Sequence, residues 1–271
     1  MTGYGQEGPL ADSVGHDPNY IALAGALHAI GDSDRPPPVP LNLIGDQGGG
    51  GIYLAMGMLA AMLEASKSGR GQVVDAAMVD GAASMMTLFY GLLAAGMWTD
   101  ERQSNLLDGR APFVRNYETS DGKYFAVCAI ETRFYKELLD VLGIVEIDVA
   151  DQYREDKWAE QEAIFAKTFK SKTRDEWSDL LEGADACAAP ILSMKEAPKH
   201  IHNQSRQTFV NVGGIQQPAP APRFSRTQSS IQQPPNEPGT RDEAALADWG
   251  LSKQEIEAFM QSGALQPRTA A

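Results

Sequence analysis

The chain has 271 residues, 43% of them apolar, and a formal net charge of −13 at pH 7. That length supports one large or two moderate domains with real cores, and that composition excludes disorder over most of the chain. So acidic a chain lacks the basic face that nucleic acid or an anionic membrane requires of a partner, and it holds an anionic nucleotide only where arginines cluster.

The two cysteines, Cys128 and Cys187, are isolated and show no metal-ligand spacing. They read as small core residues of a reducing compartment. The apolar run IYLAMGMLAAML stops at Glu64, short of a membrane span. With no signal peptide and no Ser-Lys-Leu ending, the expected location is the cytoplasm.

In chain order, residues 1–4 form a short apolar stub, and residues 8–19 form a loop rich in Gly, Pro and Asp. The stretch NYIALAGALHAI predicts a helix over 19–30 with Asn19 as its cap. A Pro-rich connection follows. From Gly48 to Ser66 the pattern is helical and apolar on nearly all sides, which predicts a buried helix. GRGQVVDAAM predicts a turn and a short strand, with Asp75 capping a second long apolar helix over about 76–96. After Trp98 the character changes. NYETSDGKYFAVCAI alternates about Asp121-Gly122 and predicts a β-hairpin. Amphipathic helices are expected near 131–142, 155–171 and 174–183, the last opened by a capping box from Thr173 to Glu176. QPAPAPRFSRTQSS reads as an extended return segment, and a final helix starts at Ser252 with a capping box to Glu255. The fold class is α/β, divided as 1–111 (large-domain portion), 112–200 (small α+β domain) and 201–271 (return segment and terminal helix toward the large domain).

Several residues carry candidate chemistry. GDQGGGG lacks the Lys-Ser/Thr ending of a phosphate loop, so its glycines are expected to let backbone approach a ligand and to free the following helix N-terminus. Taken singly, Asp46 reads as a helix-capping carboxylate, His16 as a turn histidine and Glu131 as a first-turn acid. His200 and His202 form H-x-H without a third ligand, so no metal site is expected.

In order, however, the segments TGYGQEGP, GHDPNYIALAGALHAIG, PLNLIGDQGGGG, GRGQVVDAAMVDGA, GMWTDERQSNLLDGRAPF and VCAIETRFYKELL resemble the α-methylacyl-CoA racemases. These form a branch of the CaiB/BaiF family, the class III CoA transferases. The resemblance continues through APAPRFSRT and ALADWGLSKQEIEAFMQSGAL. It implies that His16 and Asp46 are acid–base residues on opposite faces of a substrate α-carbon. It also implies that Glu131 hydrogen-bonds the histidine, Asn42 orients the aspartate and Tyr20 lines the site. Backbone N–H groups near Gly15 and Asp17 would meet the thioester. Class III CoA transferases similarly carry an aspartate at the position of Asp46, used there as a nucleophile, but they typically lack G-H-D.

The implied chemistry is physically coherent. Free Asp and His differ by about 2.6 pKa units, so a matched pair needs retuning by burial and neighbouring charge. Methionine-rich helices offer a soft surface on which an acyl chain can swing. No cofactor is implied, since CoA is part of the substrate. The partners implied are an acyl-CoA and a second copy of the chain in an interlocked dimer. Members of the family carry a further N-terminal segment that builds most of a Rossmann-like sheet and holds the CoA nucleotide. The large domain is therefore expected to be incomplete, with a non-catalytic fragment as the remaining alternative.

Overall fold

In the computed structural model, which describes residues 1–235 and 242–265, the chain forms two compact units, Met1–Ile191 and Leu192–Ala271. This twofold division differs from the threefold division expected. Residues 1–111 and 112–191 cohere as one unit, and the second begins at Leu192 rather than at residue 201.

The first unit opens with helix α1 (Asp17–Leu23), followed by turns rather than helix up to Ile30. Its N-cap is His16, not Asn19; the His16 N–H donates to Asn19 Oδ1 at 2.9 Å. A π-helical segment, Leu43–Ile52, runs directly into α2 (Tyr53–Ser68), which ends at Gly69 in the left-handed conformation. Then come α3 (Met78–Met85) and α4 (Thr87–Ala94), two helices broken at Met86 where a single helix was expected. GRGQVVD makes no strand: Ala77 is the N-cap of α3, and Asp75 instead accepts the Gln6 N–H at 3.1 Å. The N-terminal stub forms a single parallel bridge, Thr2 to Ala77, and the described residues of 1–111 hold no Rossmann-like sheet.

Two expectations about α2 are corrected. No residue of α2 is buried, and Met56, Leu59, Met62 and Leu63 are each more than half exposed, because little of the described chain lies over its apolar sides. Helical structure also runs unbroken over Leu43–Ser68, 26 residues, long and apolar enough by length and composition to cross a membrane. The run is longer than the sequence suggested because the glycine-rich stretch is itself helical.

The rest of the first unit has its own core. Strands β1 (Val114–Glu118) and β2 (Tyr124–Cys128) pair antiparallel across the Asp121-Gly122 turn, and β3 (Ala188–Pro190) adds antiparallel to β2. Helices α5 (Thr132–Leu142), α6 (Trp158–Phe169) and α7 (Arg174–Leu181) supply the other face, α7 with its Thr173–Glu176 capping box. Phe113, Tyr117, Phe125, Tyr135, Phe165, Phe169 and Trp177 are buried together, and the Tyr117 and Phe169 rings stack at 5.2 Å and 7°. By contrast, the first helices share a core of only Ile21, Ala24, Ala26 and Ala82.

The second unit contains α8 (Ile201–Ser205), an antiparallel hairpin of β4 (Phe209–Val212) and β5 (Ile215–Pro218), then α9 (Asp242–Asp248) and α10 (Lys253–Gln261). Ser252 and Glu255 form the expected capping box on α10.

Candidate active site

Asp17, the first residue of α1, is 1% exposed. One of its oxygens, Oδ2, accepts the backbone N–H of Gly45 at 2.6 Å and that of Asp46 at 2.8 Å. The turn bearing His16 is thereby tied to the turn bearing Asp46. Two N–H groups converging on one carboxylate oxygen at these lengths make a geometrically specific contact. The other oxygen, Oδ1, is buried with no hydrogen-bond partner among the described residues.

Asp46 itself is half-buried, and its Oδ2 accepts Asn42 Nδ2–H at 3.3 Å, one helical turn away. Leu41, just before, takes a left-handed φ of 59° that a bulky residue rarely adopts. Tyr20 is 5% exposed; its hydroxyl donates to the Gly15 carbonyl, and its ring meets Tyr4 edge-on at 5.0 Å. Burial, then Tyr4, then the Asp46 charge push the Tyr20 hydroxyl above its ordinary value, so it stays a neutral donor beside Asp46. His16 is exposed.

Within the glycine run, one close approach is to a neighbouring helix. A Cβ on Gly49 would lie 2.6 Å from the Ala82 nitrogen, and one on Gly81 would lie 1.9 Å from the Gly49 carbonyl oxygen. The π-helical segment therefore packs backbone against backbone on α3. Beside it lies an apolar cavity of about 480 Å³, lined by Leu43, Ile44, Met85, Met86, Phe89 and Trp98 among others.

Of the residues singled out in the sequence, Gly15, His16, Asp17, Tyr20, Asn42 and Asp46 fall in one cluster. Glu131 does not join them: it is exposed at the N-cap of α5, and no hydrogen bond or ion pair links it to His16 within the chain. Its surroundings are Tyr153 and Cys187. Burial first, and the Glu131 charge second, raise both the Tyr153 hydroxyl and the Cys187 thiol. The segment before Glu131 is anchored by Gln152 Nε2, which donates to the Ala129 and Ile130 carbonyls at 3.0 and 2.7 Å.

The cysteines are not core residues. Both are exposed and lie opposite one another, the Cys128 N–H donating to the Cys187 carbonyl at 2.8 Å. Alternation along β2 turns Phe125 and Val127 inward and leaves Cys128 outside. No group of three or more metal-ligating side chains is assembled among the described residues. Sequence reading missed the Asp17 carboxylate; an acid placed beside the histidine, ahead of a helix that buries it, was the available signal.

Comparison with known proteins places the chain in a family. Residues 1–241 match the family model described as CoA-transferase family III. The chain is 40% identical to the mouse protein named alpha-methylacyl-CoA racemase and 38% identical to its human counterpart, each over 94% of this chain and 68% of the relative. In fold it is similar to a crystal structure of a CAIB/BAIF family protein from Brucella suis, with a TM-score of 0.72 at 22% identity over 91% of this chain and 66% of that one. The chain thus spans about two thirds of the proteins it matches. It belongs to the CoA-transferase family III, whose CaiB/BaiF fold it shares.

Proposed function

We propose that the chain is a racemase-like isomerase of 2-methylacyl-CoA thioesters, with His16 and Asp46 as the two proton carriers. The observation that carries this reading is the Asp17 bridge, because it holds the His16 turn and the Asp46 turn against each other. One base removes the proton from the α-carbon, the electron pair moves onto the thioester oxygen as an enolate, and the other base delivers a proton to the opposite face. The Asp17 N–H, a first-turn donor with no acceptor among the described residues, is suited to receive that oxygen. The apolar cavity beside the π-helical segment suits a branched acyl group. The racemase relatives, at about 40% identity, support the same reading.

Glu131 enters as the histidine's partner in a homodimer, from the second copy. Its exposed carboxylate and the uncovered apolar sides of α2 support that arrangement. The test is incubation of a single enantiomer of a 2-methylacyl-CoA in deuterium oxide. Wild type is expected to racemise it with α-deuteration; His16→Ala and Asp46→Ala are each expected to stop racemisation while leaving exchange of one enantiomer. Normal racemisation by both variants sinks the assignment.

One observation favours a second reading. Asp46, with its Asn42 partner, is complete within one chain, while the His16–Glu131 pair is not. A class III CoA transferase needs only the carboxylate, which attacks the thioester carbonyl, forms an acyl anhydride and expels CoA thiolate. Trapping of an acyl group on Asp46 by hydroxylamine, without α-deuteration in wild type, selects it.

A further inference from the structure

The Asp17 side chain is spent on the backbone of the segment that carries Asp46. Nothing about hydrogen-bond demand in α1 requires this, since an N1 residue caps no N–H of its own helix. Instead the carboxylate crosses to the π-helical segment and takes the two consecutive N–H groups of Gly45 and Asp46. Those two amides lie at the start of a segment whose hydrogen bonds are wider and rarer than those of an α-helix, and π-helical turns concentrate at functional sites. The contact is built on both sides. A Cβ at Gly45 would sit 2.9 Å from both Cγ and Oδ2 of Asp17 and 3.2 Å from its Cα, so only glycine lets the carboxylate reach the amides. Asp17 itself is 1% exposed, and the Gly45 contact is buried with it.

We infer that Asp17 is a positioning residue for Asp46: its carboxylate fixes the backbone from which the Asp46 side chain projects, and so sets where that carboxylate meets the substrate. This rests on the racemase reading for its catalytic consequence and on the hydrogen bonds alone for its structural one. Its effect is one-sided. The bonds run from the side chain of Asp17 to the Asp46 segment, whereas His16 is held by its own backbone cap to Asn19 and by the Tyr20 contact with Gly15. Loss of the carboxylate therefore displaces one base and leaves the other in place. The unpartnered Oδ1 separates two substitutions. Asparagine keeps an acceptor oxygen for both amides but sets an NH2 group where no acceptor exists; alanine removes the acceptor altogether.

The experiment compares the wild-type chain with Asp17→Ala, Asp17→Asn and Gly45→Ala, following α-deuteration of each enantiomer of a 2-methylacyl-CoA. The enantiomer served by Asp46 is identified as the one whose exchange is lost in Asp46→Ala. Asp17→Ala is expected to slow exchange of that enantiomer by about 10–100-fold, as loss of other orienting partners does. Exchange of the other enantiomer should change far less, with KM nearly constant. Asp17→Asn should fall between wild type and alanine, and Gly45→Ala should reproduce the asymmetry with the carboxylate still present. Equal slowing of both enantiomers, or of neither, overturns the inference. A second readout is independent of turnover: by NMR, the Gly45 and Asp46 amides should exchange with solvent at least tenfold faster in Asp17→Ala, while the amides of α5 and α6 keep their wild-type rates. Unchanged protection at those two amides also overturns it. If wild type shows no α-deuteration, the racemase reading fails by itself, and the amide measurement still decides whether Asp17 holds the segment.

Discussion

Gly81 and Gly49 touch through their backbones: a Cβ added to Gly81 would lie 1.9 Å from the Gly49 carbonyl oxygen. No side-chain rotation relieves such a clash, so α3 and the π-helical segment would have to separate. Gly81→Ala is expected to destabilise the chain by about 1–3 kcal/mol, the range for overpacked sites. Gly91 is the control. It lies inside α4 with nothing within 4 Å of a built Cβ, and Gly91→Ala should gain up to ~1 kcal/mol in helix propensity. Urea midpoints moving in opposite directions for the two variants check the prediction; equal midpoints reject it.

Glu131 and His16 are unconnected within the chain, which makes the dimer proposal testable by complementation. Each site would draw His16 from one copy and Glu131 from the other. A mixture of His16→Ala and Glu131→Ala chains then contains heterodimers with one intact site. Activity of the mixture after subunit exchange should exceed the mean of the two separate variants. A mixture no better than that mean places Glu131 outside the site.

Asp121 ties the β1–β2 turn to α7. The Thr119 hydroxyl donates to it at 2.6 Å, the Arg174 N–H at 3.1 Å, and these with Lys123 hold its carboxyl down from 3.8 to about 2. A depressed folded-state value means that the stabilisation is complete above the unfolded value, near 4, and is lost as pH falls toward 2. The urea midpoints of wild type and Asp121→Asn should therefore differ at pH 7 and converge between pH 4 and pH 2. A difference that does not shrink with acid contradicts the assignment.

The uncovered side of α2 predicts association. Met56, Leu59, Met62 and Leu63 expose 58%, 68%, 69% and 60% of their surfaces, far more clustered than the scattered apolar residues of an ordinary surface. The chain should sediment as oligomers and bind a hydrophobic dye, and Leu59→Glu with Met62→Lys should weaken both. A monodisperse monomer that binds no dye removes the argument.

Local hydrogen-bond chemistry was the most legible aspect of the sequence. The Asp121-Gly122 hairpin and the Thr173 and Ser252 capping boxes appear where expected, because each is decided within four or five residues. The contact of Asn42 with Asp46, one helical turn apart, is implied by the family resemblance rather than by local pattern. What failed depended on contacts distant in sequence. The burial of α2 is expected from composition, but burial requires something to lie against it, and the backbone contact of Gly49 with α3, some thirty residues on, has no local signature. The β4–β5 hairpin was overlooked although Gly213-Gly214 is a recognised turn pair, because the strand after it, Ile215–Pro218, is largely polar. Asp17 is singled out in the sequence for its backbone N–H, whereas its side-chain bridge depends on a segment nearly thirty residues on.

The self-contained aromatic core has a spectroscopic corollary. Of the four tryptophans, Trp158 and Trp177 are 4% and 1% exposed inside that core, while Trp249 is 87% exposed and Trp98 packs edge-on against Phe89. The change in intrinsic emission on unfolding comes mainly from indoles that pass from a dry interior into water. A fluorescence melt of this protein is therefore mostly a record of the region from Phe113 to Leu181. The turns bearing His16 and Asp46 enter that signal only through Trp98, which lines the cavity beside the π-helical segment, and a probe attached near them would separate their loosening from the melting of the aromatic core.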